Sequence, residues 1–520
     1  MSAKTLAHRS REFRVLFVYP NLYLMNMMPP GVAILSALLK ARDIEVALFD
    51  TTYYEWRDPR LPEGLSQSSD QRKELALQVR PFNLQDRGVV SKTTDVFEDL
   101  EQVVATFRPN LLAMSVVEDT FPLGVRLLDR VRHLGIPTVV GGVFPTFAPQ
   151  LAIDPDSVDM ICVGEGEGAL VELCERMALA RDYSDVRNLW VKGPDGHVAK
   201  NPLRPLVEMD RLPMPDFEIF EPNRIYRPMA GKIYRMIPIE SHRGCPFSCR
   251  YCNSPSQSRL SEVEGAGKFF RRKGIDRIGA ELSYLIDRFK AEYVYFTADT
   301  FLGWTSRQFR DFARMYGEFR LPFWCQTRPE TITEEIADTL KEIGCHRMSI
   351  GIEHGNEAFR REMVDRRIGN EDLVTRTNLA GTRIPLSVNN ITGFPGETRE
   401  LAFDTIRLNR RLHVDTMNCY TYMPYHGTAM RDEAVERGYL RADAVACSLT
   451  AGSVLDMPGY SRDEIAGVVR TFSLYARLPE SEWPRIRRAE IDDEEGNAIF
   501  AELRQEYVER FFNDGKPTFG

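Results

Sequence analysis

Three cysteines fall within eight residues, Cys245, Cys249 and Cys252 in Arg243-Gly-Cys-Pro-Phe-Ser-Cys-Arg-Tyr-Cys-Asn253, and no other stretch constrains the chain as tightly. Thiolates at this spacing converge on one soft centre, zinc or an iron–sulfur cluster. A structural zinc site closes with a fourth Cys or His at a short spacing, and none follows here. The centre therefore lacks a local fourth ligand, which points to chemistry as well as structure. A strand-like run over 236–241 leads directly into the loop. Cys162, Cys174, Cys345, Cys419 and Cys447 lie in apolar contexts where a free thiol packs as a small hydrophobe. Cys325 follows Trp324 in a strand-like run and is the one that a barrel strand could point at a substrate.

Upstream, strands at 15–19, 45–50, 111–116, 138–140 and 158–163 alternate with helices at 31–40, 95–107, 123–134 and 169–178. That order predicts a parallel, doubly wound α/β sheet. Asp95 and Glu98 form a capping-box-like pair, and 51–92 is an irregular insertion of a length that is often functional. Ligands of such sheets bind beyond the carboxyl ends of the strands. This places Asn21, Ser115, Glu118, Thr120, Gly141, Gly142, Val143, Gly164 and Glu165 along one crevice. A proline-punctuated connector follows, with a hairpin signal at Gly193-Pro-Asp-Gly196.

From 236 to about 429, strands at 236–241, 293–296, 322–327, 347–352, 384–392 and 416–422 alternate with helices, predicting an incomplete barrel of the (β/α)6 kind. Active groups of barrels come from the carboxyl ends of strands. Asp299 there either accepts hydrogen bonds from a ribose or substrate hydroxyl or caps its loop. Arg328 either pairs with a carboxylate beside the metal loop or ties loops together. The last ninety or so residues read as helices at 430–437, 461–477 and 499–512.

The CxxxCxxC spacing with Tyr251 before the last cysteine resembles the signature of the radical S-adenosylmethionine (SAM) superfamily. The resemblance implies a [4Fe-4S] cluster on the three cysteines, SAM on the fourth iron and release of a 5'-deoxyadenosyl radical. Gly351-Ile-Glu-His-Gly355 resembles the family's Gly-Ile-Glu-Ser-Gly turn, with His354 in place of serine. Thr392-Gly-Phe-Pro-Gly-Glu-Thr398 matches its Gly-Leu-Pro-Gly-Glu-Thr turn, and Met423-Pro-Tyr-His-Gly-Thr428 resembles its Pro-Tyr-Pro-Gly-Thr element. These matches imply SAM contacts from Tyr251, Asp299, Arg328, Glu353 and Gly393. They leave Cys325, His354, Tyr425 and His426 as substrate-side or structural residues; a histidine here could shuttle a proton or ligate metal.

Val140-Gly-Gly-Val143 and Val158-Asp-Met-Ile-Cys-Val-Gly-Glu-Gly-Glu167 resemble the cobalamin-binding domain that precedes the barrel in one branch of this superfamily. Met209-Asp-Arg-Leu-Pro-Met-Pro-Asp-Phe217 is similar to that branch's linker. The implied architecture is a Rossmann-like cobalamin domain over 13–181, a linker over 182–235, a radical SAM partial barrel over 236–429 and a helical substrate-side region over 430–520. The Asp-x-His-x-x-Gly motif that supplies histidine to cobalt elsewhere is absent, so histidine is not expected as the lower ligand.

The resemblance implies C-methylation of a small molecule or natural-product intermediate at an unactivated carbon, with a cyclase or ring-rearranging enzyme as the alternative. An external electron donor such as flavodoxin or ferredoxin is implied with it. A net charge of −8 gives no basic field for nucleic acid. No apolar run reaches a membrane span, and 1–12 is too polar for a signal peptide. Nine cysteines without a secretory signal fit a reducing, cytoplasmic setting. A cofactor-based sensor and a methylthio-transferring enzyme are the remaining classes; no DNA-binding domain, second cluster motif or basic RNA-binding tail supports them.

Overall fold

The computed structural model describes residues 12–56 and 69–512. The polar start of the chain and the middle of the 51–92 insertion lie outside these residues. Two compact units emerge, one of 84–227 with 256–273 and the N-terminal strands, the other of 228–255 and 274 onward together with 69–83.

The first unit is built on seven strands: β1 (Arg14–Tyr19), β2 (Glu45–Asp50), β3 (Leu111–Val116), β4 (Thr138–Gly142), β5 (Met160–Cys162), β6 (Leu189–Lys192) and β7 (Val198–Lys200). They lie in the order β2-β1-β3-β4-β5-β6-β7. The first five run parallel; the apolar runs of β1, β3 and β5 are buried on both faces, as a helix-covered parallel sheet requires, whereas the edge strand β2 buries chiefly Phe49. Val32, Ala33, Ile34 and Leu39 of helix Pro30–Lys40 are buried, and Asp95 caps Val96–Phe107 by accepting the Phe97 and Glu98 amides at 2.8 and 3.0 Å. The hairpin expected within the connector instead adds β6 and β7 antiparallel to the edge beside β5. Because β1 lies between β2 and β3, the winding reverses there, and the carboxyl edge of β1 and β3 opens a crevice.

One buried ion pair braces that edge. Arg224 bonds Asp50 at 2.9 Å and donates to the Met27 carbonyl at 2.8 Å, and both charged side chains are almost fully enclosed. Removing the cation strands the carboxylate. Arg224→Met is expected to cost about 3–5 kcal/mol, read as a lower urea midpoint for the first unit.

The second unit holds β8 (Lys232–Ile239), β9 (Tyr293–Phe296), β10 (Phe323–Thr327), β11 (Cys345–Glu353), β12 (Leu386–Thr392) and β13 (Thr416–Thr421). These six run side by side and parallel, a curled half-barrel on the strands that the alternation predicts. Phe296 and Phe323 meet Tyr316 of helix Ser306–Tyr316 at ring distances of 5.8 and 4.8 Å, which fixes the helix-covered face. The neighbouring residues along each strand face the concave side.

An open sheet leaves β13 as an edge with unpaired carbonyls. Gln78 donates to the Cys419 carbonyl at 2.8 Å, and Ser473 of helix Arg462–Arg477 donates to that of Met417 at 3.2 Å. Segment 69–83, distant in sequence, thus helps cover the edge. Among the described residues no helix is long and apolar enough to cross a membrane.

Candidate functional site

The cysteine loop leaves the carboxyl end of β8 through Gly244, whose φ of 86° favours glycine. Later connections pin it. Ser248 bonds Asp365 at 2.6 Å, the Arg250 amide donates to the Val364 carbonyl, Arg250 pairs with Glu433 at 2.9 Å, and Asn253 donates to the His426 carbonyl. Cys249 is buried, and Cys245 and Cys252 are half-buried. Two of the sulfurs receive an N–H: Cys249 from Arg328 at 3.6 Å and Cys252 from the Ser254 amide at 3.5 Å. Burial pushes the Cys245 thiol up to about 11 and Cys252 up to about 12, and it raises Cys249 against the pull of Arg328 and Arg366. Such thiols keep their protons until a metal displaces them.

Beside Cys249 runs a chain of charges. Arg328 lies over the Phe247 ring at 3.8 Å and pairs with Glu330, which reaches Arg366 at 3.4 Å; Arg366 bonds Glu353 at 3.0 Å. Glu353 has φ 64° at a register shift in β11, a backbone cost of the kind concentrated at functional sites. Gly351 makes room: a Cβ there would lie 2.2 Å from the Glu353 carboxylate. Burial raises the Glu353 carboxyl, with Arg366 and Tyr251 opposing. Burial also pushes on Glu330, but Arg328 and Arg366 outweigh it and hold that carboxyl below its usual range.

Asp299 differs in kind: its surface is accessible, yet protein surrounds it. It stands near Cys245 and Cys252, whose thiols its charge raises. Loss of bulk water, then the Glu240 carboxylate, holds its carboxyl above the ordinary value. The folded chain therefore binds this proton more tightly than the unfolded chain, and stability falls as pH rises between the two values. Asp299→Asn is expected to be more stable than the parent at neutral pH and equal to it in acid, by urea midpoints at both.

Several sequence expectations change. Cys325 shares the helix-covered face with Phe323, fully buried and 4.0 Å from the Cys345 sulfur, because strand alternation turns Trp324 and Gln326 to the concave side. It cannot touch a substrate on that side. His354 is fully buried: its Nδ1 accepts the Asn356 amide at 3.1 Å, so Nε2–H faces Glu397 at 3.2 Å. It supports the turn and faces no ligand space. Glu397 accepts the Gly393 and Phe394 amides, while Thr398 caps Arg399–Asn409. A Cβ at Gly393, whose φ is 85°, would lie 3.2 Å from Ile465, so the position favours glycine. Glu353 and Arg328 are engaged in the charge chain. Tyr425 and His426 are half-buried in the loop after β13, where the Tyr425 carbonyl accepts the Thr428 hydroxyl at 2.8 Å. Arg366 and Glu330 escaped the sequence reading, since no spacing marks a residue that pairs across a loop.

In the first unit, Gly142 has φ 119°, and a Cβ there would lie 2.1 Å from the Val116 carbonyl oxygen. Beside it, Val117 and Val143 stand 48% and 46% exposed at the carboxyl edge. With Ser115 and Gly141 they form an apolar ledge at the crevice. Other expected contacts are internal. Asn21 bonds Thr52 and the Met25 carbonyl at 2.7 and 2.9 Å, Thr120 bonds the Val117 carbonyl, and Glu165 pairs with Arg271 and accepts the Val207 amide at 2.9 Å. Glu118 is buried, and the Gly164 amide donates to Thr146 at 3.0 Å.

The family model for the radical SAM superfamily matches residues 239–408, and that for the B12 binding domain matches 76–174. The chain carries a B12-binding domain followed by a radical SAM domain. It is 24% identical over 419 residues to the uncharacterized methyltransferase PH0819 of Pyrococcus horikoshii, covering 78% of this chain and 86% of that one. It is 31% identical over 174 residues to the anaerobic magnesium-protoporphyrin IX monomethyl ester cyclase of Rubrivivax gelatinosus, about a third of each chain (32% and 31%). The fold is similar to that of the radical SAM methyltransferase TsrM from Kitasatospora setae with cobalamin and [4Fe-4S] cluster bound, with TM-score 0.63, 17% identity, and coverage of 95% and 99%.

A radical SAM domain implies a [4Fe-4S] cluster and SAM, and a B12-binding domain implies cobalamin. The residues fit both. Three thiols on one loop, two of them accepting an N–H, suit a cluster. Among the described residues no three His, Cys, Asp or Glu side chains gather tightly enough for one metal ion, as zinc would need, whereas thiolates on separate irons stand farther apart. The glycine–valine ledge of the B12-binding domain suits a flat, largely apolar ring face.

Proposed function

We propose that the chain is a cobalamin-dependent radical SAM methyltransferase that C-methylates a small molecule at an unactivated carbon. One observation carries the reading: a three-thiol loop at the carboxyl end of a half-barrel occurs on the same chain as a doubly wound domain with an open glycine–valine edge. Relatives named as methyltransferases support it. When bound, SAM at the cluster would supply a carbon-centred radical and cobalamin a transferable methyl group.

The chain's own residues have simpler tasks. Cys245, Cys249 and Cys252 would hold the cluster, Arg366 steadies Glu353 beside it, and Asp299 offers a carboxylate to a hydroxyl or ammonium near Cys245 and Cys252. Gly141, Gly142 and Val143 support the corrin. His133 and His197, the histidines of this unit among the described residues, follow a helix and sit in the β6–β7 turn, both at the amino edge of the sheet. A histidine lower ligand is therefore not expected. On the concave face of the half-barrel, Trp324 bonds Ser349, Ser387 bonds Thr416, and Asn418 bonds Asn389 at 3.1, 2.7 and 2.9 Å. This neutral polar row suits a substrate with hydroxyl or amide groups. A flavodoxin or ferredoxin in a cytoplasmic setting would supply the electron.

The test is anaerobic reconstitution with iron, sulfide and cobalamin, followed by reductant and methyl-deuterated SAM. Label in the cobalamin fraction, with S-adenosylhomocysteine and 5'-deoxyadenosine released, is the expected result. 5'-Deoxyadenosine without label in that fraction favours the cyclase reading, which the likeness to the ester cyclase keeps in view.

A further inference from the structure

The contact between Arg328 and Cys249 goes beyond positioning. We infer that Arg328 sets the reduction potential of the cluster on Cys245, Cys249 and Cys252, with Glu330 as its moderating counter-charge; the inference rests on the proposed function above. Arg328 is held from three sides. Its Nη1 donates to the Cys249 sulfur at 3.6 Å, its plane lies over Phe247 at 3.8 Å, and Glu330 grips its other edge. Cysteine, aromatic ring and cation are thereby locked together with the Arg328 side chain only 13% exposed.

The charges along the chain do not act equally. Arg328 and Arg366 are formally balanced by Glu330 and Glu353, but Coulomb energy falls with distance. Arg328 touches the sulfur, while Arg366 acts through Glu353 and Glu330 at 3.0 and 3.4 Å. The nearest charge therefore decides the sign. Adding an electron makes a cluster more negative, so a cation and an N–H donor at a ligand sulfur stabilise the reduced form and raise the potential. Glu330 works against this by partly neutralising the guanidinium. Cys252 takes a backbone amide, from Ser254, so Cys249 is the sulfur that a charged side chain donates to.

The two partners should act in opposite directions. In the full chain, reconstituted anaerobically with iron and sulfide and without SAM, the cluster midpoint is read by spectroelectrochemistry. Arg328→Gln is expected to weaken reduction about tenfold, a shift of about 59 mV to more negative potential for one electron. Glu330→Gln is expected to move it the other way, and Arg328→Lys to stay nearer the parent. A merely structural role would lower iron content in both variants without opposed shifts. Midpoints that do not move, or that move together, overturn the inference. If Arg328→Gln fails to hold the cluster, Glu330→Gln and Arg328→Lys decide it, and a Glu330→Gln midpoint at or below the parent overturns it. A parent chain that takes up no cluster contradicts the functional reading instead.

Discussion

Cys249→Ala is expected to lose the [4Fe-4S] cluster and to take 5'-deoxyadenosine formation below detection. The effect is large because the cofactor carries the hard chemistry, and no side chain here can replace a radical source. It is also specific. Cys345→Ala, at a buried thiol on the helix-covered side, should cost some packing but retain iron, sulfide and turnover. Changes in residues that only orient the loop, such as Arg250 at its pair with Glu433, are expected to cost about 10–100-fold, the usual range for groups behind metal ligands. Iron and labile sulfide per chain, with 5'-deoxyadenosine released on reduction with SAM, check all three.

Gly142→Ala is expected to destabilise the first unit by about 3 kcal/mol, combining a left-handed backbone with a forced clash. The added Cβ would meet the Val116 backbone oxygen at 2.1 Å, and a strand carbonyl cannot step aside as a side chain can. Its neighbour separates fold from ligand. At Gly141 a Cβ would meet the Cys162 Cβ at 3.6 Å, an ordinary contact. Gly141→Ala should therefore leave the urea midpoint nearly unchanged while lowering cobalamin retention after gel filtration, because the methyl occupies the ledge. If both variants unfold alike, or Gly141→Ala binds cobalamin as the parent does, the ledge is not the cofactor surface.

Local pattern shows where the chain is readable. β8 to β13 fall on the runs that the alternation marks, since each strand must bury one face beneath helices. The cysteine loop is equally plain because metal ligation fixes spacing. What spacing does not encode was missed. Segment 69–83 covers a strand edge more than three hundred residues later through Gln78, a contact that no local rule announces. Cys325 misled because one position along a strand reverses the face. His354 stands where the related turn carries serine, and its chemistry suggested catalysis. Only the tertiary structure shows that Asn356 and Glu397 occupy both ring nitrogens.

The most direct measurement is the cofactor content of one chain. After anaerobic reconstitution with iron, sulfide and cobalamin and removal of excess, the account predicts one four-iron cluster and one cobalamin per chain. In Cys249→Ala the iron should be lost and the cobalamin kept. Zinc without labile sulfide on the cysteine loop, or a loaded chain that retains no cobalamin, would contradict it.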